Sequence, residues 1–311
     1  MVGLVFRVTE RAVRTWPLGE WALLRRVLPD GGSSAPDPRR FMPDKGSSLA
    51  LDDLDFMPKL GAHVVSSTAR FPVMNAAENL VGAGQVQSAT FQENRTSVAG
   101  AGTLCRAAIE SSAKTIWLLA EPSREVRRAR CLGYIERERS YQQKFVDLEE
   151  LIYEKREDAE RDADYESFQR HRDEYDERQA AIAALPEEAR QKPARSFEKI
   201  VEWSAKWIDE NPPPHAADEL ALGMTLGATS FYSSGSSFVH GYKWMSDYIR
   251  NDEDTLKIIA DGLAAALIMT ECAVALFEAQ ATHAARASIR KNYPDRLTPT
   301  VAEWMPRYLC A

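Results

Sequence analysis

A run of serines ending in a histidine is the stretch of this sequence best suited to chemistry. Five serines lie between Ser230 and Ser237, and His240 and Tyr242 follow in SSGSSFVHGY. Serine favours caps and turns over helix interiors, because its hydroxyl competes for backbone groups, so the run predicts a turn or a helix start. In helical geometry the Ser236 hydroxyl would lie beside the His240 ring, four residues on. Either Ser236 and His240 form a nucleophile–base or proton-transfer pair, or His240 is a buried histidine satisfied by serine.

A second group of charged residues follows helical spacing earlier in the chain. Arg106, Glu110 and Lys114 are four residues apart and share a face among small and apolar neighbours. A carboxylate on a mostly apolar helix needs a partner, since burying it unpaired is costly. Arg106 is the local candidate and His240 a more distant one. The two interpretations are an ion pair at the helix surface and a site where Glu110 orients His240 while Arg106 holds an anionic ligand.

Arginines cluster in SREVRRAR, where Arg124, Arg127 and Arg128 align on one side of a predicted helix start. Guanidinium groups arranged in this way can hold phosphate, so we predict Arg124 and Arg128, together with Arg106 and Tyr242, as ligand-binding residues. Acidic residues follow closely, which leaves a salt-bridged helix face as the alternative.

Three segments together resemble uncharacterised helical proteins near the HEPN superfamily. They are RAAIESSAKTIWLL, the Arg-rich stretch after Glu-Pro, and SSGSSFVHG, within residues 72–135 and 215–290. The resemblance implies a helical bundle that often dimerises and, in active members, cuts RNA with an R-x4–6-H motif. Here positions 233–236 hold Ser, Ser, Gly and Ser, so the RNA-cutting motif is absent as written. Of the residues in that motif, only the histidine has a counterpart here, which is His240, and the match is one of position.

Other catalytic and metal signatures are absent from the sequence. There is no GxxxxGK[ST] loop, no GxGxxG after a strand, no HExxH and no GxSxG. No Glu-x-x-His pair supplies di-metal ligands. Cys105, Cys131, Cys272 and Cys310 lack CxxC spacing and a nearby histidine, which indicates reduced thiols. We therefore predict neither a metal site nor a cofactor.

Composition limits the partners and the location. The 311 residues carry 39 basic and 46 acidic side chains, a net charge of −7, so nucleic-acid binding would need a local basic patch. The N-terminus has no uninterrupted apolar signal core. The apolar stretch from Ile258 to Ala281 contains Asp261, Glu271 and Glu278, which are costly at bilayer depth. We expect a cytoplasmic protein without a membrane contact.

Helical patterning dominates the chain and predicts an all-α fold. Residues 1–48, rich in Pro, Gly, Ser and Asp near their end, form an appendage and linker; residues 49–135 and 196–311 form two halves of one helical bundle. In the first half, one helix is expected to start at Pro72, one to run from Thr96 to Ala120, and one to run from Arg124, capped by Ser123, to about Ala163. In the second half, one helix is expected after Ser196, one from Ala216 to Leu226, and one from Asp252, capped by Asn251, to about Arg290.

Between the two halves, residues 136–195 predict a charged, coiled-coil-like helical hairpin. Tyr141, Phe145, Leu148 and Ile152 are spaced four, three and four, which places them on one narrow stripe. Most of the residues that follow are charged and must face water. A turn is expected around residues 155–165 or just after Leu185. The arm is either simply solvated or binds a partner or a second copy.

Two functions stay open at this point. The first is a HEPN-like protein of bacterial defence or stress response that binds RNA or nucleotide, with a homodimer as one assembly. The second is a non-enzymatic helical scaffold or adaptor whose charged arm binds a protein partner. The sequence does not decide whether the protein is an enzyme.

Overall fold

A computed structural model describes residues 42–93, 98–193, 196–219, 223–287 and 292–309. Within these ranges the chain forms α-helices and short 3-10 turns and no strand, which confirms the all-α prediction. Most of the predicted N-terminal appendage, and Cys310, lie outside the described residues. The nine described helices are α1 Ser48–Asp53, α2 Val64–Gln92, α3 Val98–Leu119, α4 Arg124–Lys155, α5 Arg161–Ala183, α6 Phe197–Glu210, α7 Met224–His240, α8 Asp252–Ala281 and α9 Thr298–Trp304.

The central helices of the bundle are α3 and α8. α3 packs against α2, α6, α7 and α8, and nearly every residue of α8 beyond Gly262 is buried. Polar side chains also join the layers: Ser112 and Thr270 hydroxyls are 3.1 Å apart, and Gln280 donates to the Leu119 carbonyl at 2.8 Å. The core cluster draws on residues 49–134 and 200–308, so segments distant in sequence share one interior.

Long apolar α8 also has the length and composition of a membrane-crossing helix. It is the one described helix of this kind, with a mean hydropathy of 1.8, and 83% of its apolar window is buried inside the bundle. A core helix of a globular protein has the same properties, so the burial accounts for its apolar sequence.

Helix ends follow the local capping signals where those signals are strong. The Ser123 hydroxyl accepts the Val126 amide at 3.4 Å, and the Asn251 side chain accepts the Asp254 amide at 2.9 Å. α2, however, starts at Val64, and Pro72 lies inside it. The expected start at Pro72 is wrong, because the buried face of this helix already begins in the turns before the proline.

Two further helix boundaries differ from the prediction. The expected helix from Ala216 to Leu226 is instead a 3-10 turn at 214–219, followed by α7 from Met224. The Asp209 carboxylate accepts the Met224 amide at 2.6 Å and therefore caps α7 from the end of α6. α8 stops at Ala281, nine residues earlier than expected, where Thr282 takes an extended conformation.

The contacts between α4 and α5 are made by one side of α4. Arg139 Nη1 donates to the Tyr175 carbonyl at 3.2 Å, the Tyr175 hydroxyl donates to the Arg139 carbonyl at 3.1 Å, and the Tyr153 ring lies 5.3 Å from that of Phe168. α4 ends at Lys155, not near residue 163, because the chain becomes extended at the next residue.

The apolar residues that the spacing grouped on α4 are not in this contact. These residues and their neighbour Leu151 are each 50–59% exposed. We call the five together the α4 stripe: Tyr141, Phe145, Leu148, Leu151 and Ile152. The buried residues of α5, by contrast, are Phe168, Tyr175 and Ile182.

Candidate functional site

The serine run lies inside a helix and not at a turn. α7 contains all five serines, and it ends at His240 with Gly241 in the left-handed conformation at φ 65°. The expected turn or helix start is wrong, since the run begins six residues after Met224; two of its serines bond within the helix, and the Ser236 hydroxyl donates to the Tyr232 carbonyl at 3.0 Å. The small residues of this stretch also let α7 approach α3 closely. A Cβ atom on Gly235 would lie 3.4 Å from the Arg106 side chain.

A polar network joins α3 and α7 at this approach. Arg106 Nε donates to the Ser236 hydroxyl at 3.2 Å, and its Nη2 donates to the Tyr232 hydroxyl at 2.9 Å. The guanidinium carbon also lies 4.3 Å from the centre of the Tyr232 ring. The Tyr232 hydroxyl in turn donates to Glu110 Oε2 at 3.0 Å. Tyr232 thus links the arginine and the carboxylate that the sequence had paired.

Glu110 is compensated by two cations of its own helix. Arg106 Nη1 lies 3.6 Å and Lys114 Nζ 3.0 Å from its carboxylate oxygens, and the three side chains are 17–19% exposed. Burial, and then the nearby Glu110 charge, raise the pKa of Tyr232. The network therefore keeps Tyr232 neutral as a hydrogen-bond donor, and the donors of Arg106 are directed at protein oxygens.

His240 and Tyr242 lie together, away from this network. Both are exposed, and their ring centres are 5.4 Å apart. His240 follows Tyr232, the residue that contacts Glu110, by eight residues, which is about 12 Å along a helix axis. No hydrogen bond joins His240 to Arg106 or Glu110 in the described part of the chain. The structure brings Arg106, Glu110 and Ser236 together and places His240 beyond them.

The arginines at the start of α4 bind the short helix α1. Arg127 is fully buried and donates to both Asp52 carboxylate oxygens, at 2.6 and 2.8 Å. Arg124 Nε reaches the same carboxylate at 3.3 Å. Arg128 donates to the backbone carbonyls of Asp52 at 2.8 Å and Leu54 at 2.9 Å, at the end of α1. The partners are therefore Asp52 and the backbone of α1, and not the acidic residues that follow in the sequence; these contacts engage Arg124 and Arg128 in the packing of α1 on α4.

A groove between α7 and α8 is the main cleft that the sequence did not reveal. Its volume is about 990 Å³, and Trp244 and Tyr248, 44% and 64% exposed, stand at its side with ring centres 5.8 Å apart. Ser230 and Ser233 line it from α7, and Asp261 from α8. Burial raises the pKa of Asp261. The sequence signal for this groove was the presence of aromatic residues soon after Gly241. The groove itself forms only because α8 packs beside α7.

A buried carboxylate–imidazole–hydroxyl row lies at the other end of α8. His215 Nε2 is 3.0 Å from Glu271, its Nδ1 is 2.8 Å from the Thr300 hydroxyl, and Arg296 Nε donates to Glu271 at 2.7 Å. The order resembles a catalytic relay, but the side chains of His215 and Glu271 are 1% and 0% exposed, and Thr300 is buried. The row instead fastens α9 and the 214–219 turn to α8. Sequence spacing could not reveal it, because its members are 56 and 85 residues from His215.

Within the described residues no group of three or more His, Cys, Asp and Glu side chains is arranged to hold a metal ion. Comparison of the chain with known proteins finds no matching family model, no matching curated protein and no matching solved structure.

Proposed function

We propose that the protein is a non-enzymatic helical scaffold or adaptor, in which α4 and α5 form a charged hairpin arm that binds a protein through the α4 stripe. The observation that carries this proposal is the exposure of the stripe: five large apolar side chains, each at least half exposed, on one helix. Contiguous apolar surface of this kind marks interaction sites in proteins.

The arm is supported by where its buried residues and its ends lie. Val146, Phe168, Tyr175 and Ile182 are buried, yet none belongs to the core cluster of the described bundle. The chain also returns after α5 to the base of α4, where the Gln191 amide donates to the Ala129 carbonyl at 2.9 Å. Two ends that meet in this way support an arm inserted in the bundle.

α5 leaves the stripe uncovered for a geometric reason. Arg139 and Tyr153 contact α5, and Val146 lies on the same side, seven residues from each. At 100° per residue, the centre of the stripe is rotated roughly 145° from that side. α4 therefore has two contact faces, and α5 occupies only one of them. Helix-in-groove and coiled-coil partners recognise this i, i+4, i+7, i+11 spacing.

Cross-linking mass spectrometry of the full chain in its host cells tests the proposal. Lys144 and Lys155 flank the stripe, and we expect cross-links from both to defined peptides of a protein partner. Phe145→Lys should abolish these cross-links, because a charge at the centre of an apolar contact is costly to bury. Leu226→Lys is the matched control, since Leu226 is 69% exposed on α7, away from the arm. Equal loss in both variants, or unchanged cross-links in Phe145→Lys, would refute the proposal.

RNA or nucleotide binding by a HEPN-like bundle is the second candidate. It is favoured by one observation, the exposed Trp244 and Tyr248 rings beside the groove, because aromatic rings stack on bases. The charges oppose it, because Asp254 and Asp261 line the same groove and Lys257 balances only one of them. Fluorescence titration with nucleotides and short RNA is the test. Saturable quenching that Trp244→Phe removes would favour this candidate over the first.

A further inference from the structure

We infer that the protein partner of the α4 stripe is a second copy of this chain, bound antiparallel so that two arms form a four-helix bundle. This inference rests on the proposed function and specifies its partner. It is argued from the spacing and charge of the residues along the stripe, and from the area that the stripe offers.

The heptad spacing of the α4 stripe continues beyond the apolar residues at both ends, and we call the whole series of positions the seam. Glu138 precedes Tyr141 by three residues, and Lys155 follows Ile152 by three, so the spacing from Glu138 to Lys155 is three, four, three, four and three. This is an unbroken heptad seam of two and a half repeats. Glu138 and Lys155 are both exposed. Within its own copy the Glu138 carboxylate also accepts a hydrogen bond from Tyr134 and is attracted by Lys114, and local burial raises its pKa. The seam therefore consists of an acid, four apolar residues and a base.

An antiparallel pair centred between Val146 and Asp147 matches every layer of this seam. Tyr141 of one copy meets Ile152 of the other, and Phe145 meets Leu148. Each layer then combines a ring with an aliphatic side chain, and it does so twice because the pair is symmetric. Leu151 lies beside the seam and covers its edge.

Charge selects the antiparallel arrangement over the parallel one. A parallel pair would place Glu138 against Glu138 and Lys155 against Lys155, and both contacts are repulsive. The antiparallel pair places Glu138 of each copy against Lys155 of the other, which gives two opposite-charge contacts. Like charges that face each other suppress the wrong partner arrangement. The seam is complementary to its own reverse, and this property identifies a second copy as the occupant.

The apolar area of the α4 stripe also fits a contact between two copies. Two aromatic and three aliphatic side chains, each half exposed or more, present on the order of 500 Å² of apolar surface per copy. With the flanking side chains included, the contact approaches the roughly 800 Å² per partner of a stable interface.

Light scattering coupled to size exclusion, with the full chain at about 100 µM, measures whether two copies associate through a contact of this size. We expect a dimer. Leu148→Glu should give a monomer, and Leu226→Glu should remain a dimer. Because Leu148 is 59% exposed, its substitution leaves the fold intact, which circular dichroism melting verifies. A monomeric wild type, or a dimer that Leu148→Glu leaves unchanged, would overturn the inference.

A charge exchange tests the direction of the two copies. Glu138→Lys and Lys155→Glu should each weaken association roughly tenfold, since each turns two attractions into two repulsions. The double variant restores both opposite-charge contacts and should recover wild-type association. A double variant as weak as the single ones would exclude the antiparallel pair. If the wild type is monomeric while stripe-dependent cross-links to another protein persist, this inference fails and the proposed function stands.

Discussion

Replacing Arg127 by methionine should destabilise the protein more than the same substitution of an exposed arginine. The guanidinium is fully buried and makes five hydrogen bonds, two of them to the buried Asp52 carboxylate. The others reach the Ser48 hydroxyl at 2.9 Å and the carbonyls of Glu121, at 2.8 Å, and Pro122, at 2.5 Å. Methionine removes all five while retaining much of the apolar volume.

The size of the expected loss in stability follows from the Asp52 charge that stays buried after the substitution. Breaking a buried ion pair on one side costs about 3–5 kcal/mol, because the other charge stays buried without compensation. Arg124 still reaches Asp52 at 3.3 Å, which places the expected cost near the lower value, about 3 kcal/mol. That is a large part of the 5–15 kcal/mol by which typical domains are stable. Adding Asp52→Asn removes the stranded charge and should recover about 1 kcal/mol or more.

Urea unfolding followed by circular dichroism at 222 nm measures these free energies. Arg178→Met is the control, because Arg178 forms an exposed pair with Glu174 at 3.1 Å on α5 and should cost less than about 0.5 kcal/mol. The reasoning fails if Arg127→Met costs less than about 1 kcal/mol. It also fails if Asp52→Asn in the Arg127→Met background brings no recovery.

Three further outcomes are expected. Gly262→Ala should cost about 1–3 kcal/mol in urea unfolding, since its Cβ would overlap the Phe231 ring, whereas Gly227→Ala, with open space around it, should stabilise α7 by about 0.5–1 kcal/mol. Burial raises the pKa of Cys105 to about 12, so mass spectrometry should detect its alkylation by iodoacetamide at neutral pH only after unfolding. Tyr232→Phe should cost about 1–2 kcal/mol by the same unfolding assay, because it removes the hydroxyl between Arg106 and Glu110.

Local signals in the sequence were sufficient where local forces decide the structure. Ser123 and Asn251 cap helices as expected, because a cap depends on residues two or three positions away. Arg106 and Glu110 are neighbours for the same reason, since their spacing of four fixes them on one helix face.

Features set by packing between distant segments could not be predicted from spacing. Pro72 lies within α2 because the helix is held by its buried face, and the Asp52–Arg127 pair joins residues 75 positions apart. Tyr232 was missed as a site residue because only the approach of α7 to α3 turns its hydroxyl into a link. The exposure of the α4 stripe was likewise hidden, since its spacing predicts an apolar stripe but does not say which helix covers it.

The shared core of the two bundle halves has a consequence for protein synthesis. α3 buries much of its surface against α8, and the residues between them are made after α3 has been synthesised. At about 5–20 residues per second, roughly 10–30 s separate the completion of α3 from that of α8. During this interval the inward face of α3, including Ile109 and Ile116, has no α8 to cover it. We therefore expect the nascent chain to depend on chaperones more than a protein of equal length whose early helices complete their own core.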